Sequence, residues 1–125
     1  MRQPDVTQNR YPYQSEPSWL ASDKAIARKA FDAALKRELL EVMQEAKRMA
    51  SQIKEPADLW KLERFLTQRR KDIDRKYEFR SSRLIQVLGM LLSKNRITEE
   101  ELRRLPDDKV KAIRSRAAVL SEDAA

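Results

Sequence analysis

Residues Asp58 to Tyr77 read DLWKLERFLTQRRKDIDRKY, and their spacing decides the fold. Leu59, Leu62, Leu66, Ile73 and Tyr77 follow one another at threes, fours and a seven, the period of one face of an α-helix. The stripe should be apolar at position 69 or 70, yet both are Arg, so charge interrupts the inner face. A second face of the same helix carries Trp60, Glu63, Thr67 and Arg70 at spacings of three, four and three, flanked by Arg64 and Lys71. Trp60 therefore points away from the main apolar stripe. It either packs under the other helix of a long pair or stands half-exposed beside arginine, the composition typical of a binding hot spot.

Upstream, a longer pattern runs through Ala27, Phe31, Leu35, Leu39, Val42, Ala46, Met49 and Ile53. Ser22 is the expected N-cap, with Asp23 in the first turn. The helix spans about 32 residues, and at 1.5 Å each it is roughly 48 Å long, more than a compact monomer of this size covers along its whole stripe. A second chain is expected on the uncovered part, with Leu35, Leu39 and Val42 of the first helix and Leu59, Leu62 and Leu66 of the second as the dimerisation residues. Lys54, Glu55 and Pro56 break the pattern, and Pro56 suits the first position of the next helix, where its missing N–H leaves no bond unmade.

Downstream, Arg83 to Leu92 is apolar nearly all round, which describes a buried helix at the hub of a small head. Asn95 supplies a stop, Thr98 with Glu101 a capping box, and Glu99 to Leu105 a short helix that Pro106 ends. Asp107 or Asp108 caps a last helix through about Leu120, and the closing SEDAA is too short and polar to pack. The expected fold class is all-α: a long antiparallel helical hairpin forming an elongated homodimer, with a small C-terminal helical head. Residues 1–20 are a mobile tail, 21–120 one helical domain (21–79 the helical pair and dimerisation region, 80–120 the head), and 121–125 a second tail. Trp19 is expected to lean on the start of the first helix, while Tyr11 and Tyr13 lie in the first tail.

Composition agrees. The 125 residues hold 38% charged side chains, a single Gly and five Pro, which suits salt-laced helices better than sheets and turns. There is no Cys and no His, so no disulfide or thiolate metal site exists and the commonest general base and metal ligand are both missing. Neither an enzyme nor a bound metal or cofactor is expected. The consecutive Glu99, Glu100 and Glu101 point in different directions on a helix and cannot converge on one ion; they complement the helix dipole instead. The longest nearly apolar run, Leu84 to Leu92, is under half the roughly 20 residues that span a bilayer, so no membrane insertion is expected. The net charge of +7 suits an acidic partner. Lys61 to Arg83 holds nine cations against four acids, but Asp72 before Lys76, Asp74 after Arg70 and Glu78 after Arg75 sit at pairing distance, and no zinc-finger, phosphate-loop or RNA-binding motif accompanies them. A solvated face explains the run better than nucleic-acid binding does.

The opening stretch, continued as EFRSSRLIQVLGMLL, resembles the fluorescence recovery protein family of cyanobacteria. The resemblance rests on Asp58, Leu59, Trp60, Lys61, Leu62, Phe65, Leu66, Arg70, Ile73, Asp74, Lys76, Tyr77 and Arg80, and further on Glu100, Glu101, Leu102, Asp108, Lys109, Lys111 and Ile113. Upstream, Arg37, Glu38 and Leu39 and the run Ala50 to Ile53 also fit, so the register is unbroken over residues 19–117. The resemblance implies an elongated homodimer that binds the photoactivated orange carotenoid protein, or a related carotenoid-binding protein. It accelerates that partner's red-to-orange reversion and promotes its release from the phycobilisome, which ends non-photochemical quenching. It also implies a cytoplasmic protein, peripheral to thylakoids through the phycobilisome. Trp60 and Arg70 match residues of the family's functional surface, and Glu63, Arg64, Thr67 and Lys71 share their face. The chain departs from the family pattern at Arg64, where members commonly carry an acidic residue, and at Glu63, where they carry His or another polar residue. The alternative is the same dimeric scaffold serving a different protein partner, with a basic nucleic-acid module as a lesser one.

Overall fold

The structure, a computed structural model, describes residues 19–124, with side chains described through position 121. Positions 1–18 of the expected 1–20 tail, with Tyr11 and Tyr13, lie outside the described residues. Among the described residues five α-helices follow in order: α1 (Ala21–Ser51), α2 (Pro56–Lys76), α3 (Leu84–Ser93), α4 (Glu99–Leu102) and α5 (Asp107–Ala124), with a 3-10 turn at Ser81–Arg83 before α3. Among the described residues there is no strand, and the fold is all-α.

Helix α1 starts two residues earlier than its Ser22 cap would place it. Leu20 is the N-cap, and the Asp23 carboxylate accepts the Leu20 backbone N–H at 3.4 Å. The turn to α2 is closed the same way: Asp58 accepts the N–H groups of Lys54 and Glu55 at 2.9 and 3.1 Å, and Pro56 opens the helix. Those two backbone hydrogen bonds hold the Asp58 carboxyl below its ordinary pKa. Arg48 and Met49 of α1 and Gln52 just after it line one groove with Asp58 and Lys61, while Glu38 meets Arg69 and Lys76. Low numbers thus meet high ones, and the two helices run antiparallel.

The core gathers Ala27, Ala30, Phe31 and Ala34 of α1 with Leu84, Val87, Leu88 and Leu91 of α3 and with Ile97, Leu102, Leu105 and Ile113. The first half of α1 therefore packs with the head and only its second half pairs with α2, so packing does not divide at the expected 79/80 boundary. Three alanines on the buried face of α1 let the head helices approach closely, and Phe31 closes the end of the core by meeting Tyr77 and Phe79 edge to face at 5.4 and 5.2 Å between ring centroids. Trp19 reaches further than the start of α1: it packs on this core, and Lys109 of α5 holds its ammonium 5.3 Å from the indole ring.

Helices α3 and α5 make the most extensive packing in the head. The chain's only glycine, Gly89, sits at their crossing, where a Cβ would lie 2.7 Å from Cβ and Cγ of Arg116. Helix α3 ends in a Schellman motif: Asn95 takes φ 60°, Arg96 donates to the Leu91 carbonyl at 2.8 Å and Asn95 to that of Leu92 at 3.1 Å. The Thr98–Glu101 capping box forms as its spacing indicates, but α4 stops at Leu102, three residues short of expectation. Helix α5 begins at Asp107 with the Pro106 carbonyl accepting from Lys109 and Val110, so the two aspartates occupy the first turn and do not cap it. The helix continues to Ala124, which places most of the expected closing tail inside it.

Candidate interaction surface on the helical pair

Helix α2 is 21 residues long and buries none of them. Propensity alone does not hold such a helix in water; packing of an apolar face does. Within one chain that packing is half made: Leu62, Phe65, Ile73 and Tyr77 are partly covered by α1, whereas Leu59 and Leu66 stay 48% and 43% exposed.

The expected partner-binding residues all project from this helix and all are exposed: Trp60, Glu63, Arg64, Thr67, Arg70 and Lys71. Trp60, at 59%, is the most exposed large aromatic among the described residues. Within this chain no second helix covers this side chain. Thr67 donates its hydroxyl to Glu63 at 2.9 Å, which fixes the middle of the face. Arg64, Arg70 and Lys71 have no carboxylate within ion-pair distance among the described residues. The face thus offers an indole at one end and unpaired cations along about 15 Å of helix, at 1.5 Å rise per residue. Binding there desolvates little that is already committed elsewhere.

The expected dimerisation residues fall on the same pair of helices. Leu39, Leu59 and Leu66 are exposed, and Leu35, Val42 and Leu62 are half-buried. On α1, Leu35 and Leu39 share an open apolar groove with Leu40 and Met43, bordered by Asp32 and Lys36. Leu40 and Met43, 47% and 52% exposed, widen this apolar surface beyond the residues that periodicity singled out.

The ion pairing differs from the local pattern read in the sequence. Asp72 bonds Arg75 at 2.8 Å and accepts from Gln68, Glu78 meets Arg80 and Arg83, and Lys76 leaves α2 altogether for Glu38 of α1. Glu38, wholly buried, is the centre that sequence reasoning missed. It accepts from Arg69 at 2.7 Å, Lys76 at 2.6 Å and the Tyr77 hydroxyl at 2.8 Å, with Arg96 at 3.8 Å. Burial pushes its pKa up, but hydrogen bonds from Lys76, Tyr77 and Arg69 and the Lys76 charge outweigh burial and hold it below the ordinary value. Burial and the Glu38 hydrogen bond push the Tyr77 phenol up and keep it protonated. The one available signal was Arg69, a cation on the inner stripe that needed an anion opposite.

No group of three or more acidic side chains that could hold a metal ion occurs among the described residues, and none of their helices is long and apolar enough to cross a membrane.

Comparison with known proteins returns one consistent relationship. The family model described as photoprotection regulator fluorescence recovery protein matches residues 19–117. The fluorescence recovery protein of Synechocystis sp. (strain PCC 6803) is 37% identical over 103 residues, covering 82% of this chain and 94% of the relative. The solved structure of the Fremyella diplosiphon fluorescence recovery protein superposes with a TM-score of 0.76 at 34% identity, over 81% of this chain and 99% of that one. The Synechocystis structure gives the same TM-score at 37% identity, with the same coverage of both chains.

Proposed function

From the premise that this chain belongs to the photoprotection regulator fluorescence recovery protein family, we propose that it is a homodimeric, non-enzymatic regulator of the orange carotenoid protein. It binds the photoactivated red form through the α2 face of Trp60, Glu63, Arg64, Thr67, Arg70 and Lys71. Binding accelerates reversion to the orange form and promotes release from the phycobilisome, which is where the protein works, in the cytoplasm beside the thylakoid. The observation that carries the reading is the pairing of a 21-residue helix that buries nothing with a tryptophan 59% exposed on it.

The dimer follows from the same helix. Leu59 and Leu66 of α2, with Leu35, Leu39 and Val42 of α1 and Leu62 between them, supply the apolar surface that a second copy covers. Covering it stabilises both copies at roughly 25 cal/mol for each Å² removed from water. Catalysis of the partner's relaxation then needs no reacting group. A protein that binds the path from red to orange better than the red state itself lowers that barrier by the difference in affinity.

The test is the dark rate of red-to-orange conversion of a purified orange carotenoid protein, with and without an equal concentration of this protein. Acceleration supports the reading. No acceleration by a folded helical dimer overturns it for that partner. Arg64 gives a second reading its specific ground: a cation where the family commonly carries an acid can redirect the same scaffold to a different, more acidic protein.

A further inference from the structure

We infer that Glu38 is a positioning residue: a buried pin that fixes the angle between the α2 arm and the head. One helix, the residue that follows it and one loop converge on its carboxylate. Arg69 and Lys76 reach it from α2, Tyr77 from the exit of α2, and Arg96 from the loop between α3 and α4. Its neighbours on α1 complete the clamp. Arg37 grips both oxygens of Glu101 at 3.0 and 2.8 Å and donates to the Arg96 carbonyl at 2.6 Å, and Glu41 pairs with Arg96. One turn and a little more of α1, from Arg37 to Glu41, thus ties the arm on one side and the head on the other.

Location makes the pin matter. Glu38 is the last buried residue of α1: head core lies before it, and every position after it is half-buried or exposed. Helix α2 has no buried side chain of its own, and it meets the wholly buried Glu38 carboxylate through this ionic contact, made by Arg69 and Lys76, whose own side chains stay partly exposed. Apolar contacts slide, because burial is non-directional. A carboxylate with three short hydrogen bonds has one satisfied geometry, and displacing it strands a charge in the interior. The arginine that interrupts the inner stripe of α2 is thereby explained: position 69 trades apolar area for direction.

The pin stands on the ion cluster alone. Its consequence, that Trp60 and Arg70 are presented at a fixed angle to the head, bears on partner action only through the function proposed above. Geometry is therefore the primary readout. Because the natural chain has no cysteine, a pair of spin labels is introduced through Gln68→Cys on α2 and Lys94→Cys at the end of α3, both exposed. The labelled protein is diluted into unlabelled protein so that only distances within one chain are read. Arg69→Gln with Lys76→Gln, in a sample shown by circular dichroism to be helical, is expected to lose the single narrow distance peak. Tyr77→Phe, which removes one hydroxyl, is expected to broaden it less. Arg75→Gln, which breaks a pair made within α2 itself, leaves it narrow. A peak as narrow in the double variant as in the parent overturns the pin, as does equal broadening by Arg75→Gln. Should the double variant not fold, Arg69→Gln alone carries the same two outcomes. Partner acceleration, measured on the same samples, separates the two ideas: a broadened arm with undiminished acceleration supports the pin and counts against the α2 face as the binding surface.

Discussion

The ammonium of Lys76 lies 2.6 Å from a carboxylate oxygen of Glu38, across the gap between α2 and α1, where the carboxylate has no exposed surface at all. An ion pair so placed has an asymmetric energetics. Forming it contributes little over a well-packed apolar pair, but removing the lysine leaves the buried carboxylate one donor short.

Lys76→Met is accordingly expected to destabilise the folded chain by about 1–3 kcal/mol, the cost of a lost hydrogen bond to a buried charge when Arg69 and Tyr77 still serve the carboxylate. Arg75→Met, one residue away and paired at the surface with Asp72, is expected to cost under about 1 kcal/mol. Urea unfolding of the two variants side by side checks this, and equal losses would count against the special status of Glu38.

Acid should act through the same groups. Glu38 is held below the ordinary 4.5 by its three hydrogen-bond donors against burial, and Glu101 is held below it chiefly by the Arg37 hydrogen bond. A depressed folded-state pKa means that the ionised form favours the fold. That contribution is whole above the unfolded value near 4.5 and is lost as pH falls through the folded values. The urea midpoint is expected to hold steady from neutral pH down to that region and then drop. In Glu101→Gln the drop is expected to be shallower, and an unchanged acid limb would remove Glu101 from the account.

Gly89→Ala sets helix propensity against packing. Alanine gains up to about 1 kcal/mol in a helix interior. Its Cβ would meet two Arg116 carbons at 2.7 Å and the Ile113 carbonyl at 3.3 Å, and two helices cannot part without opening the core between α3 and α5. Overpacking of this kind typically costs about 1–3 kcal/mol, so net destabilisation is the expected outcome in a thermal melt. Adding Arg116→Ala should recover part of the loss only, because it removes the Cγ contact and keeps the Cβ one.

What was legible in the sequence is what is written locally. The 3–4 spacing of Leu59, Leu62 and Leu66 marked out the arm, Thr98 with Glu101 a capping box, and Asn95 a stop, since each signal lies within four residues of its effect. The shared face of Trp60, Glu63, Thr67 and Arg70 was legible for the same reason. Glu38 was not, because its donors are 31, 38 and 39 residues away and a glutamate before Leu39 looks like any exposed helical acid. Nor was the membership of early α1 in the head: Ala27, Ala30 and Ala34 continue a helical stripe without saying which neighbour covers it.

The partner face yields the sharpest contrast. Trp60 is 59% exposed and bonds nothing that holds the fold, so Trp60→Leu should shift stability by no more than about 0.5 kcal/mol and leave helicity unchanged. If the indole is an anchor for the carotenoid protein, the same change should cost about 2 kcal/mol or more of binding, a roughly thirtyfold loss of acceleration below saturation. Wild-type acceleration by a folded, helical Trp60→Leu variant removes this residue from the surface. Arg64→Asp then asks what the face was tuned for. Arg64 has no carboxylate partner among the described residues, so its reversal should leave the fold alone and act on the partner only. A fall in acceleration means that Arg64 meets an acidic group of the carotenoid protein. A marked rise, by contrast, means that the natural cation is repelled there, and that the chain's own partner presents the opposite charge at that point.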